Sequence, residues 1–425
     1  MAVLAANGRG AADIKAVSVT STSGTVCDVD SAGDPLGPAV MYNDQRSEPE
    51  AAEVNRAGAA ISSKLGYKFA GSFGLPKMLW LMRHESERFR RARWLLSPTD
   101  FIIGRLSGEF GLTDYTNAFK TGYDLLQGRW PSFIEEILGI PLAKLPKVVA
   151  PGTRVGEITA AASDATRLAV GTPVVAGMTD GCASQVATGA VDVGDWNSTL
   201  GTTLVIKGVT RELLRDPLGR VYCHRHPDGH WLPGGASNTG GECIARRFDK
   251  VQLAALAAQA RALTPTNLVI YPLTRKGERF PFNHASAEGF IVGEASDTAT
   301  LYTAHLEGVA YVERMSYEVL ANLGAHPSET VYIAGGAAKV DEWTQIRADV
   351  LQRTLLVPTV SGGAMGAAVV AAGAIAYDGV IRAARAMVRM TKQIEPRPQM
   401  RAAYDERYAR FRAELSRRGY LQDSQ

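Results

Sequence analysis

Residues 173–203, PVVAGMTDGCASQVATGAVDVGDWNSTLGTT, constrain the fold more than any other stretch. Pro173 to Ala176 reads as a buried strand, because it is a short apolar run bounded by a glycine. Gly177-Met178-Thr179-Asp180-Gly181 reads as a tight turn at its end, and Cys182 to about Thr188 as a helix of small residues. A polar link leads to a second strand, Trp196 to Leu200, closed by the turn Gly201-Thr202-Thr203. One strand end therefore presents a lone carboxylate, and the next presents backbone N–H groups and two hydroxyls. A carboxylate able to take a proton, together with a loop able to hold phosphate oxygens, is the minimum equipment for moving a phosphoryl group onto an alcohol.

Each feature also has a plainer reading. Asp180 is a good helix N-cap, and Gly201-Thr202-Thr203 serves equally as an ordinary strand-ending turn. Gly335-Gly336 at the end of the strand Val331 to Ile333 could admit a flat ring against bare backbone, but a glycine pair alone is common. His224, His226 and His230 lie on an expected hairpin, Arg220 to Leu232, with a spacing that could hold a metal. No acidic or cysteine partner completes a set, so no zinc is expected there. The chain has no G-x-G-x-x-G opening a βαβ unit and no G-x-x-x-x-G-K-[ST], which argues against a Rossmann cofactor and a P-loop.

Strand ends carrying glycine turns recur near Ser21, Asp180, Gly201 and Gly335, and ligands gather at such ends in α/β sheets. Two α/β domains, 1–185 and 186–425, are expected. Met1 to Asp13 reads as a helix tail, Ile14 to Thr20 as a strand and Ala39 to Asn43 as strand-like. Ser47 to Leu106 reads as mostly helical, broken at Gly71–Gly74 and Pro98. Thr113 to Tyr123 reads as a polar, aromatic loop and Pro141 to Pro151 as a surface connection. Gly234 to Gly241 reads as a glycine-rich turn opening a helix, and the tail from Met387 as charged and helical. A chain of 425 residues with net charge +3 gives no case for nucleic acid or an anionic membrane as partner. The four cysteines form no C-x-x-C pair, which fits a reduced, cytosolic setting. The longest apolar run, Ala364 to Tyr377, is Gly- and Ala-rich and reads as a packed helix.

The order of these segments resembles the FGGY carbohydrate kinases. IKAVSVTSTSGTVCDVDSAGDPLGPAVMYNDQR is similar to the family's early strand pair and its W-x-D-x-R segment, with Tyr42 at the tryptophan position. LPKMLWL, LTDYTNAFKTGYD, AGMTDG, STLGTT, AGGAAKVDEWTQIRADVL and SGGAMGAAVVAA follow in family order. YTNAFKTGYD, YCHRHPDGHWLPGGASNTGG and YPLTRKGERFPF resemble the plant and cyanobacterial D-ribulose kinase branch. The resemblance implies two actin-like (ribonuclease-H-like) domains with Mg-ATP and a small sugar in the cleft between them. It implies Asp180 as general base and Gly201, Thr202 and Thr203 as the phosphate loop. It puts adenosine at Gly335, Gly336, Val340 and Trp343, and the sugar near Thr22, Ser23, Gly24, Tyr42 and Asp44.

Two departures carry expectations of their own. Family members open with a strand bearing D-x-G-T, and this chain shows none, so three strands of the first domain's sheet would be missing. The alternative to a kinase is then a catalytically inactive, aggregation-prone protein that still binds sugar or nucleotide. Val340 stands where relatives carry Asn or Ser, which removes a polar contact beside the adenine. A further rival, an actin- or chaperone-like ATPase without a sugar substrate, is disfavoured by the hydroxyl-rich turn Thr22–Thr25 and by Tyr42–Arg46.

Overall fold

The computed structural model of the chain describes residues 6–421. Residues 1–5 of the expected N-terminal helix tail lie outside that range, and Ala11–Asp13 form a 3₁₀ turn. Two compact units emerge, and neither is a single stretch of sequence. The first comprises residues 1–187, 224–231 and 361–387, and the second residues 188–223, 232–360 and 388–425. The boundary expected at 185–186 had placed 224–231 and 361–387 with the second unit, whereas they pack with the first.

The first unit is built on a three-stranded sheet with Pro173–Thr179 at its centre. Val17–Ser21 pairs with it in parallel and Arg154–Glu157 antiparallel. Every residue of the central strand after Pro173 is buried, in keeping with its near-continuous apolar sequence. The helices Pro98–Ser107 and Gly363–Ile375 pack against it.

The turn expected at Gly177–Gly181 is not a turn. The strand runs on through Thr179, and a helix, Asp180–Thr188, begins at the next residue. Gly177 serves a different need. Ser18 pairs with Val175 and Thr20 with Met178, so two residues of the central strand oppose Val19 alone in a β-bulge. A Cβ on Gly177 would stand 1.7 Å from the Val19 carbonyl oxygen, so only glycine permits this approach. Gly366 in the helix Gly363–Ile375 acts in the same way: a Cβ there would lie 1.9 Å from the Ala183 carbonyl oxygen. The small residues of that helix thus let its backbone close on the helix that begins at Asp180.

Other local expectations change for identifiable reasons. The first strand starts at Val17 rather than Ile14, and Ala39–Asn43 contributes one bridge, Val40 to Val26. Within the stretch read as helical, Trp94–Leu96 is a strand paired with Cys27–Val29. Pro98 starts a helix instead of breaking one, because Ser97 caps it and proline suits the first turn. The expected loop at Thr113–Tyr123 begins with a strand, Leu112–Asp114, paired with Lys147–Val149 from the expected surface connection. The side chain of Asp114 then caps a short helix, Tyr115–Ala118.

The second unit is built on a sheet in which residues 232–236, Leu204–Gly208, Trp196–Leu200, Thr330–Ala334, Thr354–Pro358 and Met390–Ile394 follow one another. Gly234, Gly235 and Ala236 are strand residues opposite Lys207, Ile206 and Val205, so the glycine-rich turn is shorter than its sequence suggested. Met390–Ile394 is an antiparallel edge strand inside the tail read as helical. Its exposed residues, MTKQ, carry no apolar alternation to announce it. A two-stranded sheet, Val269–Tyr271 with Phe290–Val292, lies in the same unit. Among the described residues no helix is long and apolar enough to cross a membrane.

Candidate functional site

In the first unit, the register pairs Ser21 with Thr179, so Thr22 and Asp180 leave adjacent ends of parallel strands. Asp180 is exposed at the start of its helix. One carboxylate oxygen accepts the N–H of Gly181 at 2.6 Å, and the other has no partner among the described residues. That leaves one oxygen open to accept a proton. Thr22 and Ser23 are half-buried, while Gly24 is buried, with φ +84° and the Ser72 carbonyl where a Cβ would go. Gly24 therefore shapes the turn from within. Thr25 ties the next segment to it by accepting the Tyr42 N–H at 2.9 Å. Tyr42 is exposed, and Asp44 is engaged by Arg46 through two side-chain contacts of 2.8 Å. Hydrogen bonding from Arg46 holds the Asp44 carboxyl below the usual carboxylate range. Nearby Lys77 is fully buried, donates to the Gly71 carbonyl, and is pushed down by burial to a pKa of about 8. The lysine inside the apolar run LPKMLWL was the only sign of it in the sequence.

Beneath Asp180 lies a buried polar network that the sequence did not disclose. Thr116 accepts the Thr179 N–H at 2.9 Å and donates its hydroxyl to Asp114, which also accepts the side-chain N–H of Asn117. The backbone that presents Asp180 is thus fastened, through Thr116, to a carboxylate more than sixty positions earlier in the chain. Asp100 sits beside Asp114, fully buried, in a capping box with Ser97. Burial first, and the Asp114 charge second, push Asp100 up to a pKa of about 8. A carboxyl raised above its unfolded value holds its proton more tightly in the folded chain. Its contribution to stability is complete below the ordinary value of 3.8 and is lost as pH climbs toward about 8. Asp100→Asn is therefore expected to flatten the loss of stability between about pH 5 and pH 8. Urea midpoints measured at both pH values for the two proteins check this, and an unchanged slope would mean that Asp100 is ionised throughout.

In the second unit, a cavity of about 770 Å³ collects residues from several of the expected sites. Gly201, Thr202, Gly336, Val340 and Trp343 line it, with Lys250, Tyr302 and Lys339. Thr203 and Gly335 do not. Gly335, at φ +92°, makes the turn after Thr330–Ala334, where a Cβ would meet the Leu200 carbonyl oxygen at 2.3 Å. Gly201-Thr202-Thr203 joins two antiparallel strands, and Gly201 donates to the Thr203 carbonyl at 3.1 Å. The N–H groups and hydroxyls of Thr202 and Thr203 donate to no described group. Uncommitted backbone donors of this kind, on an exposed Thr202 and a half-buried Thr203, suit an anion. Gly240 and Gly241 let a second turn approach this one, since Cβ atoms there would stand 2.5 Å from the Thr202 carbonyl oxygen and 2.7 Å from that of Gly201. Trp343 is buried and donates its indole N–H to the Leu306 carbonyl at 3.2 Å, which fixes the ring as a wall of the cavity.

Glu278, which sequence reading passed over, organises that second turn. It is buried and accepts from the hydroxyls of Ser237, Thr239 and Tyr271 and from the N–H of Asn238. The three histidines do not form one cluster. His226 bonds Asp228, His230 lies 3.5 Å from the same carboxylate, and His224 packs on Phe119. Among the described residues no group of three or more His, Cys, Asp or Glu could hold a metal ion.

Comparison with known proteins bears on both units. Residues 2–187 match the N-terminal domain of the FGGY family of carbohydrate kinases, and residues 197–375 match its C-terminal domain. The chain is 30% identical over 393 residues to a xylulose kinase of Streptomyces rubiginosus, covering 89% of this chain and 78% of that one. It is 26% identical to a gluconokinase of Bacillus subtilis, covering 81% of this chain and 71% of that one. The crystal structure of a xylulose kinase from Rhodospirillum rubrum superposes with a TM-score of 0.84 at 29% identity, over 95% of this chain and 84% of the other.

Proposed function

Because the chain belongs to the FGGY family of carbohydrate kinases, phosphotransferases that act on sugars, we propose that it moves the γ-phosphoryl group of ATP to a ketopentose, D-ribulose by preference. Asp180 takes the proton of the attacking hydroxyl, the new O–P bond forms, and the bond to the β-phosphate oxygen breaks to release ADP. The Gly181 N–H holds the carboxylate in one orientation while its other oxygen faces the hydroxyl. The free N–H groups of Thr202 and Thr203 bind phosphate oxygens and offset the charge that develops on them. Adenine lies against Gly336, Val340 and Trp343. Mg²⁺ would enter as part of the nucleotide substrate, held chiefly by its phosphates and by water.

The observation that carries this reading is the uncommitted donor pair at Thr202–Thr203 on a turn whose Gly201 and Thr202 border a 770 Å³ cavity with an aromatic wall. The preference for D-ribulose is supported by the similarity of YTNAFKTGYD and YPLTRKGERFPF to the D-ribulose kinase branch. ADP release measured with D-ribulose, D-xylulose, gluconate and glycerol tests it. The highest kcat/KM should fall to a ketopentose, whereas ATP turnover indifferent to every sugar would refute the kinase reading for this chain.

Val340 gives a separate check on the nucleotide. It is the N-cap of the helix Asp341–Leu351 and makes no side-chain capping bond. Val340→Asn should tighten ATP by about 1 kcal/mol, the net worth of one hydrogen bond. It should also add a helix cap worth about 1 kcal/mol of stability. Isothermal titration and thermal melts separate the two effects: a raised Tm with unchanged ATP affinity would confine residue 340 to capping.

A further inference from the structure

The second unit contains another cavity, about 450 Å³, lined by Cys243, Arg246, Arg247, Thr274, Phe290 and His305 among others. It shares one element with the larger cavity, the short helix Glu242–Arg247. Gly241, Ile244 and Ala245 border the larger cavity, while Cys243, Arg246 and Arg247 border the smaller. Those two sets are each spaced by three and four residues, so they occupy different faces of one helix.

The charge along the shared helix is unbalanced: Glu242 borders the larger cavity, while Arg246 and Arg247 border the smaller. Glu242 is contacted by Arg246 at 2.8 Å, by Arg275 at 2.7 Å and by the Thr274 hydroxyl at 2.9 Å. Two guanidinium groups thus share that one carboxylate, and Arg247, which also lines the smaller cavity, has no carboxylate partner among the described residues. An incoming dianion would complete the set, and guanidinium groups match phosphate in geometry as well as charge. His305, on the helix Thr298–Asn322, is buried at the cavity wall. Its Nδ1–H donates to the Leu301 carbonyl at 2.7 Å, which leaves Nε2 as an acceptor. Burial, ahead of the Arg247 charge, lowers its pKa and keeps the ring neutral. A neutral acceptor beside a cationic pair suits a ligand with a phosphate at one end and a hydroxyl at the other.

We propose that this cavity is a regulatory site for the phosphate monoester of a polyol or sugar, and that its occupation alters nucleotide affinity by shifting the helix Glu242–Arg247. The binding part stands apart from the assigned activity, while the coupling part rests on the larger cavity holding ATP. Ligand binding at one face of a shared helix can shift the other site only through a difference in affinity between two helix positions.

The test titrates the full chain with glucose 6-phosphate and with inorganic phosphate by calorimetry, with a non-hydrolysable ATP analogue present at saturation to occupy the Thr202–Thr203 turn. Wild type should bind glucose 6-phosphate at one site, and Arg247→Ala should weaken it about tenfold or more. His305→Phe should weaken glucose 6-phosphate but leave inorganic phosphate unchanged, because only the hydroxyl contact is lost. Equal affinity in wild type and Arg247→Ala, or no binding by wild type, overturns the site. Titration of the ATP analogue with and without glucose 6-phosphate should show its Kd displaced severalfold in wild type and not in Arg247→Ala. Binding without that displacement overturns the coupling, and failure of the analogue to bind at all refutes the nucleotide reading instead, with the Arg247→Ala comparison still deciding the site.

Discussion

Asp180→Asn is expected to lower kcat by about 10²-fold or more, the usual worth of a positioned general base. The sugar Kd should change far less. Asparagine keeps the shape of the side chain and retains an oxygen for the Gly181 N–H, 2.6 Å from the carboxylate in the native chain. What it loses is the capacity to accept a proton at the open oxygen. The substitution also separates the two readings of this residue. Asparagine caps helices about as well as aspartate, so a residue acting only at the helix start would tolerate the change with kcat intact. Steady-state kinetics with the preferred sugar, beside a thermal melt of both proteins, provide the comparison. A variant with near-native kcat would remove Asp180 from the chemistry.

The largest stability effect is expected at Arg347 and Glu313. Both side chains are fully buried, and the guanidinium meets the carboxylate in two parallel contacts of 2.7 and 2.8 Å. Removing one partner leaves the other charge buried without compensation, which costs about 3–5 kcal/mol. That is a large part of the roughly 5–15 kcal/mol that holds a folded domain. Glu313→Leu and Arg347→Met should each lower the denaturant midpoint sharply. The double variant should recover most of the loss, because an apolar pair of similar volume avoids desolvating two ions. Arg347 lies on the same helix as Trp343, one turn further along, so each single variant should also weaken ATP binding. Single variants that lose less than about 1 kcal/mol would mean that water or relaxation satisfies the remaining charge.

Some of this architecture was readable from residues alone. The strand at Pro173 stood out as an apolar run, and the strand expected at Trp196–Leu200 has those bounds in the structure. Asp180 was conspicuous as a charge following such a run. What escaped notice depended on partners distant in sequence. Gly177 looked like a turn residue because glycine serves turns and bulges alike, and only the Val19 carbonyl distinguishes them. Trp94–Leu96 and Leu112–Asp114 are three residues each, too short for periodicity to register. The support of the Thr179 backbone by Thr116 and Asp114 spans more than sixty positions, and no local pattern encodes it. Glu278 likewise holds a turn some forty residues earlier in the chain.

The interleaving of the two units also governs how the chain can be assembled during synthesis. Residues 361–387 belong to the first unit, and they include the helix whose Gly366 backbone closes on Ala183. By the time residue 187 has been made, the first unit still lacks that helix, which is encoded about two hundred residues later. At translation rates of about 5–20 residues per second, the wait is roughly 10–40 s. The apolar strand Pro173–Thr179 must remain without one of its packing helices throughout that interval. Folding in order of emergence from the ribosome is therefore closed to the first unit, and a fragment ending near residue 187 should be a client of chaperones, with its solubility restored only when residues 361–387 are supplied.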